Sequence, residues 1–344
     1  MALDRREFLK RAGLSAGALG LTGLLGRTAH AAEGMDRYYL HVYFEGGWDM
    51  LLGLDPRDPA DFPYNLAPET QITPGYDRLP AQFSRQMLEV NGTLLGPCVG
   101  ELPQVLDRVA IVRGINMGTL THEVGRRHFI TGKAPAGLAA RGSAVPTLAA
   151  AQIGPQTEVP HLAHRVESYN VDQPAFAAAL PVAAVGHLQY ILQRSLGIPD
   201  GVPANVKGAL GAYWSKQRDC RVESGVAASK LADIYRDNRA RARSVVESTL
   251  YRQFQFDGPE TALARAHYGI SGSNLENPFG RAALAAQALK SGLSRVVSVV
   301  LADGLDTHDG AWAQDHSTRL AQGFTALSRL ISDLATSEAP GGGS

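Results

Sequence analysis

The sequence has no excess of charge of either sign: 33 Lys and Arg residues balance 33 Asp and Glu residues, and charged residues make up only 19% of the chain. The balance gives no electrostatic signature of a nucleic-acid partner, and the small charged fraction excludes a disordered, solvated chain. Cysteine is also scarce, with two residues in 344, which excludes a disulfide scaffold. What remains is a globular protein with enough chain for one large α/β domain or two ordinary ones.

The first 31 residues carry a targeting pattern. Arg5-Arg6 precedes Phe-Leu-Lys, a mildly apolar run follows from Ala12 to Leu25, and Ala29-His30-Ala31 supplies a small-x-small cleavage site. This order is typical of a twin-arginine signal. The alternative is a basic amphipathic helix of a cytoplasmic protein, which would not need the cleavage site. The apolar run is shorter than the ~20 residues that span a bilayer, so we expect no permanent membrane anchor. We predict that the twin-arginine export machinery delivers a mature chain, starting near residue 32, to the periplasm or the medium.

Both cysteines, Cys98 and Cys220, follow the predicted signal. They would therefore meet an oxidising compartment. Their separation gives no spacing signal, so a disulfide and two buried free thiols both remain open.

Short apolar runs alternate with helical patterns in residues 32–344. Strands are predicted over Tyr38–Phe44, Val109–Val112 and Val296–Leu301. Helices are predicted over Glu101–Leu106, Thr121–Thr131, residues 145–153, Arg281–Ser291 and Leu320–Leu334. Alternation with near-continuous apolar strands predicts an α/β fold, with a mostly parallel central sheet and helices on both faces.

Two segments fit this alternation poorly. Residues 53–97 hold many Pro, Asp, Asn and Gly and predict a long irregular excursion. Residues 155–280 mix Pro-rich turns with helical stretches near 181–195 and 222–254. We interpret them as a largely helical insertion or cap beside the sheet.

Polar residues follow the predicted strands, where open parallel sheets bind their ligands. Asp306 and His308 flank a single residue after the last strand, and Asp49 follows the first. Mixed Asp and His sites suit transition metals, and a divalent ion would relieve repulsion between the carboxylates. The expected cofactor is therefore a divalent metal, Zn, Mn, Fe or Ca. The alternative is that the aspartates only cap helices and bend turns.

The predicted helix at Thr121 begins with residues suited to anion chemistry. A helix start offers free amides and partial positive charge, which favour an anionic ligand or a deprotonated nucleophile. Arg126 lies one turn later on the same face and could hold an oxyanion. The alternative is a threonine cap followed by a solvated polar face.

Three motifs together resemble the uncharacterised DUF1501 family, within the alkaline phosphatase-like and sulfatase-like superfamily. They are Glu45-Gly46-Gly47-Trp48-Asp49, the segment from His122 to Gly132, and Leu305-Asp306-Thr307-His308. The resemblance implies an alkaline phosphatase-like fold in which two metal ions bind a small anionic phosphate or sulfate ester and activate a nucleophile. It places Asp49, Asp306 and His308 at metal-ligand positions, although the family usually has three residues, not one, between the last two.

The same resemblance assigns His122 to the nucleophile position and Arg126 to the arginine four residues later. The superfamily uses Ser, Thr or a modified Cys as nucleophile, so His122 is expected to be a metal ligand. The identity of the nucleophile stays open between Thr121, His122 and water. Family members continue beyond the helix ending at Leu334 with further ligands, so we expect domain 32–344 to be incomplete at its C-terminus.

Three hypotheses about the protein follow from these observations. The first is a metal-dependent hydrolase, and the second is a non-catalytic exported binding or accessory protein that keeps the fold without a complete two-metal site. The third is a fragment with an exposed sheet edge and no stable fold.

Overall fold

A parallel β-sheet organises the part of the chain that the computed structural model describes, which is residues 37–193, 203, 205–206, 208–213, 238–239, 241–242, 244–245, 248–308 and 310–340. The strands in chain order are β1 (Tyr39–Phe44), β2 (Leu88–Val90), β3 (Thr93–Leu95), β4 (His161–His164), β5 (Leu180–Val182) and β6 (Val296–Ala302). The central sheet has the order β1-β6-β4-β5, and all three of its strand pairs are parallel. Strands β2 and β3 form a separate antiparallel pair.

Helices connect and cover these strands. The described α-helices are α1 (Ala67–Thr70), α2 (His122–Thr131), α3 (Val145–Ile153), α4 (Val185–Leu192), α5 (Ala262–Tyr268), α6 (Pro278–Lys290) and α7 (Asp315–Thr336). Short 3-10 helices lie at Tyr64–Leu66, Tyr76–Arg78, Leu102–Arg108, Ala175–Ala177, Leu250–Phe254, Pro259–Thr261 and Gly310–Trp312. No helix among the described residues combines the length and apolar character needed to cross a membrane.

Strand β6 forms the centre of the core because it is apolar on both faces. All seven of its residues are buried, as expected for a parallel strand covered on both sides. Val297 and Val299 pack in a cluster with the alanine-rich helix α6 and with Leu330 of α7. Val300, on the opposite face, packs with Ile130 of α2. Helices therefore cover both faces, and the predicted α/β architecture is confirmed at this level.

The strand predicted over Val109–Val112 is wrong. The segment belongs to no described strand, and Val112 is 74% exposed. Val109 and Ile111 pack partly against the cluster that contains Leu102, while Ala110 and Val112 face outward. The four residues have the apolar composition of a buried strand, but only every second residue packs against the protein. None of the described strands pairs with the segment.

The interpretation of residues 155–280 as an insertion beside the sheet is also corrected, because β4 and β5 lie within this range and form half of the central sheet. Strand β4 is completely buried although two of its four residues are histidines, and β5 contains Pro181 at the sheet edge, where proline is tolerated. Neither strand has the apolar run by which a strand is recognised. Helix α4 does occupy the first predicted helical stretch, while most of the second lies outside the described residues.

The predicted signal at residues 1–31 and Cys220 lie outside the described residues. Cys98 is a buried free thiol, and burial raises its pKa to about 12, with the Asp49 carboxylate adding to the effect. The chain from Tyr38 onward forms one compact unit.

Candidate functional site

The carboxyl ends of β1 and β6 meet beside the start of α2. Leu305 donates its backbone N–H to the carbonyl of Glu45 over 3.3 Å, which joins the two loops. Gly46 lies at φ +110°, and a Cβ there would stand 2.7 Å from the backbone nitrogen of Asp306. A side chain at this position would therefore clash with backbone as well as adopt an unfavourable conformation. Glycine at position 46 is what lets the two strand ends approach each other.

Three side chains that the sequence singles out converge at this junction: His122, Asp306 and His308. Their potential ligand atoms all lie within 4.8 Å of one another. The Asp306 carboxylate lies between the two imidazoles, with Oδ2 3.0 Å from His122 Nε2 and Oδ1 2.6 Å from His308 Nε2. The side chains are 48%, 41% and 83% exposed, respectively. Solvent and small ligands therefore have open access to the group.

The three groups are near enough to one another to share a single metal ion. Zn²⁺ binds imidazole nitrogen and carboxylate oxygen at about 2.0 to 2.2 Å, so neighbouring ligands in a tetrahedral site stand ~3.3 Å apart. The separation of 3.0 Å between His122 and Asp306 is close to this value, whereas the 2.6 Å between His308 and Asp306 is a hydrogen-bond distance that would lengthen around an ion. Two imidazoles and one carboxylate suit Zn, Mn or Fe better than Ca, which prefers six to eight oxygen ligands.

Asp49 does not belong to this group, contrary to its predicted role as a shared ligand. Its Oδ1 accepts a hydrogen bond from the backbone of Leu51 and its Oδ2 accepts one from Trp312 Nε1, both at 2.9 Å. Its backbone N–H donates to Nε2 of His316, also over 2.9 Å. The two carboxylate oxygens therefore stabilise the loop after β1 and hold it against the 3-10 helix that precedes α7. Sequence reasoning placed Asp49 at the correct strand end, but the direction of the loop beyond Gly47 depends on these non-local contacts.

His316 contacts the loop that carries Asp306 and His308. It is 1% exposed, and burial lowers its pKa despite the nearby Asp49 carboxylate. Because Nε2 accepts from Asp49, the ring proton resides on Nδ1, which lies 3.3 Å from the Thr307 hydroxyl. Thr307 lies between Asp306 and His308 in the chain, so its contact with His316 helps to fix the direction in which those two side chains project.

The predicted catalytic residues on α2 have different surroundings. Thr121 is the exposed residue that precedes the helix, and its side chain makes no capping hydrogen bond. Arg126 is paired with two carboxylates, Glu45 at 3.1 Å and Glu167 at 2.6 Å. Its charge is therefore already compensated, and the expected role of holding an oxyanion would require these pairs to break.

A second group of ionisable residues was not recognised as a site from the sequence. It lies at the carboxyl ends of β4 and β6 and consists of His164, Arg165, Glu276, Arg281 and Asp303. The available signal was the position of His164 and Arg165 after a strand, but that strand has no apolar run to reveal it.

No family model, no curated protein and no solved structure matches this chain.

Proposed function

We propose that the chain is an exported metal-binding protein that resembles hydrolases of phosphate or sulfate esters. The observation that carries the proposal is the convergence of His122, Asp306 and His308 within 4.8 Å. The parallel sheet with helices on both faces supports an alkaline phosphatase-like fold, since that superfamily also places its ligands beyond the carboxyl ends of the strands.

One divalent transition-metal ion is the proposed cofactor, held by His122 Nε2, His308 Nε2 and a carboxylate oxygen of Asp306. Three protein ligands leave a further coordination position for water or substrate, as in catalytic rather than structural zinc sites. The exposure of all three side chains is consistent with such an open position. A bound ion would polarise an ester oxygen and lower the pKa of bound water.

The residues around the site have distinct proposed roles. The Thr121 hydroxyl lies next to His122 in the chain and makes no capping bond to the helix, so it is the side-chain nucleophile that this arrangement offers. Water is the alternative nucleophile. His122 acts as a ligand, because its Nε2 faces Asp306 at 3.0 Å. His316 and Asp49 position the loop and do not contact the substrate.

The second candidate function is metal binding without turnover, as an exported accessory protein. Two observations favour it. Arg126 is neutralised by Glu45 and Glu167, so it does not present a free cation to the developing charge of an ester transition state. The Asp49 carboxylate is occupied by Leu51 and Trp312. The residues that the structure describes therefore hold one group of possible metal ligands, where a two-metal mechanism requires two.

Zinc titration of the purified protein, after treatment with EDTA, tests the metal site. We expect one equivalent of Zn²⁺ to bind, and we expect His122→Ala or His308→Ala to weaken binding at least about tenfold, which is the scale of losing one metal ligand or its support. His187→Ala is the matched control, because His187 is exposed on α4 and belongs to no metal-ligand group of the described residues.

Turnover of aryl phosphate and aryl sulfate esters then separates the two candidate functions. Weak, zinc-dependent hydrolysis that is lost in Thr121→Val or Asp306→Asn supports the hydrolase. Stoichiometric zinc binding without hydrolysis supports the accessory protein. A protein that binds no zinc, or binds it equally well after His308→Ala, contradicts both.

A further inference from the structure

A mixed cluster of charged residues lies at the carboxyl ends of β4 and β6, outside the metal-ligand group. One carboxylate oxygen, Oδ2 of Asp303, accepts from two guanidinium groups, Nη1 of Arg165 at 2.8 Å and Nη2 of Arg281 at 3.0 Å. Burial raises the pKa of Asp303, but Arg281 and Arg165 outweigh it and lower the pKa overall. Two cations therefore share a single acceptor atom.

Two residues of this cluster have buried nitrogen atoms without partners. Arg281 is 4% exposed, and its Nε and Nη1 make no hydrogen bond to any described residue. His164 is 0% exposed, and neither of its ring nitrogens has a hydrogen-bond partner among those residues. The nearest carboxylate oxygen recorded for His164 is Oε2 of Glu276, at 3.8 Å, which is beyond hydrogen-bonding distance. Because native proteins satisfy nearly all buried donors, this cluster needs an additional acceptor.

The charge that surrounds these donors selects the kind of acceptor. Burial lowers the pKa of His164 to about 4, and the positive charges of Arg281 and Arg165 add to the effect more than Asp303 opposes it. Glu276 does not supply the missing acceptor, since its Oε1 accepts the backbone N–H of Val185 at the start of α4. The formal charges of the cluster cancel, since Arg165 and Arg281 face two carboxylates. At the His164 ring, however, the two guanidinium charges outweigh Asp303, and the unpartnered atoms are nitrogens of Arg281 and His164.

The position of the cluster also favours a ligand. Ligands of open parallel sheets bind beyond the carboxyl ends of the strands. His164 is the last residue of β4, and Asp303 directly follows the last residue of β6. Arg281 belongs to the first turns of the 13-residue helix α6, whose first amides are capped by the Asn277 side chain. The helix therefore favours an anion through its dipole and not through free amides. Arg165 is a non-glycine residue at φ +58°, a conformation that is uncommon outside functional sites and turns.

We propose that this cluster binds a small tetrahedral oxyanion, phosphate or sulfate, through Arg281, Arg165 and His164. An oxyanion supplies several acceptor oxygens and a negative charge at once, which matches two guanidinium groups and an imidazole better than a single water molecule does. Arg165 and Asp303 have side chains that are 36% and 35% exposed, so solvent reaches one side of the cluster, whereas Arg281 and His164 are buried. The proposal does not depend on the metal site.

Calorimetric titration of inorganic phosphate and inorganic sulfate into the EDTA-treated protein, in a chloride buffer near pH 7.5, tests the proposal. We expect one equivalent of either anion to bind and the two anions to compete. Arg165→Gln should weaken binding about tenfold or more, because it removes a charge-assisted contact from a partly exposed side chain. Arg108→Gln is the matched control, since Arg108 is a 55% exposed arginine outside the cluster, and it should leave binding unchanged.

A second measurement uses the unaltered protein, so it does not depend on whether a buried variant such as Arg281→Gln folds. Phosphate should shift the imidazole signals of His164 in NMR spectra and raise its pKa, because a bound anion stabilises the protonated ring. Absence of both the binding heat and the His164 shift would overturn the proposal. Binding that is lost in His308→Ala but kept in Arg165→Gln would also overturn it, by placing the anion at the metal ligands.

Discussion

Acidification should destabilise the protein through the buried histidines of its central sheet. His161 of β4 is completely buried, with its Nε2 2.9 Å from the hydroxyl of Ser298 on β6. Burial lowers its pKa to about 4, and repulsion from His41 on β1 adds to the effect. His41 is itself buried, and its pKa is lowered for the same reason. The folded protein therefore holds these rings neutral where the unfolded chain would protonate them.

The magnitude follows from the two pKa values of His161. An unfolded histidine has a pKa of about 6.5, and the folded value is about 4. The unfolded state therefore binds protons first, and stability is complete above pH 6.5 and is lost as the pH falls toward 4. At pH 5, this single residue should cost about 2 kcal/mol of the free energy of unfolding. His164, with a pKa lowered to about 4, should add a similar amount.

Urea unfolding at pH 7.5 and pH 5.0, followed by circular dichroism, measures this loss. His161→Gln should reduce the difference between the two pH values by about 2 kcal/mol, whatever its effect at pH 7.5. The control His187→Gln changes an exposed histidine and should keep the full difference. If the parent protein is equally stable at both pH values, or if His161→Gln keeps the parent difference, the assignment of a neutral buried imidazole is wrong.

The remaining predictions concern the junction of the strands and the export signal. Gly46→Ala should lower the free energy of unfolding by more than about 3 kcal/mol, because the added Cβ would be strained at φ +110° and would stand 2.7 Å from the backbone nitrogen of Asp306. Gly92→Ala, at φ +76° with no neighbour within 4 Å, isolates the strain alone and should cost only about 1 kcal/mol; equal losses in urea unfolding would refute the crowding argument. Changing Arg5-Arg6 to two lysines should leave the precursor in the cytoplasm, because the export receptor reads paired guanidinium groups and not charge alone; normal export in cell fractionation would refute the signal assignment.

The elements that the sequence predicts well are those whose pattern is local and strong. Strand β6 is apolar except for Ser298, and α7 repeats apolar residues such as Leu320, Phe324 and Leu330 at helical spacing, so the local sequence of each element predicts it. Strand β4 is not predicted by its local sequence, because His161 and His164 interrupt the apolar pattern and are buried only when the strand pairs within the sheet. Val109–Val112 shows the opposite failure, since its composition is that of a strand but its backbone pairs with no described strand.

The candidate site was predictable to the extent that its residues are neighbours in the chain or lie at recognised strand ends. Asp306 and His308 are two residues apart, and the helix beginning at His122 was predicted by its pattern. Asp49 was misassigned because hydrogen bonds to distant Trp312 and His316 set its direction. Arg281 had no local signal at all, since its role depends on the meeting of α6 with the ends of two strands.

Anomalous diffraction at the zinc absorption edge, from crystals of the purified protein grown with Zn²⁺, tests the central claim most directly. The account predicts a single strong peak about 2.0 to 2.1 Å from Nε2 of His122 and of His308, and about 2.0 to 2.2 Å from a carboxylate oxygen of Asp306. Absence of a peak there, or a zinc ion held by other residues while these three side chains remain hydrogen-bonded to one another, would contradict it.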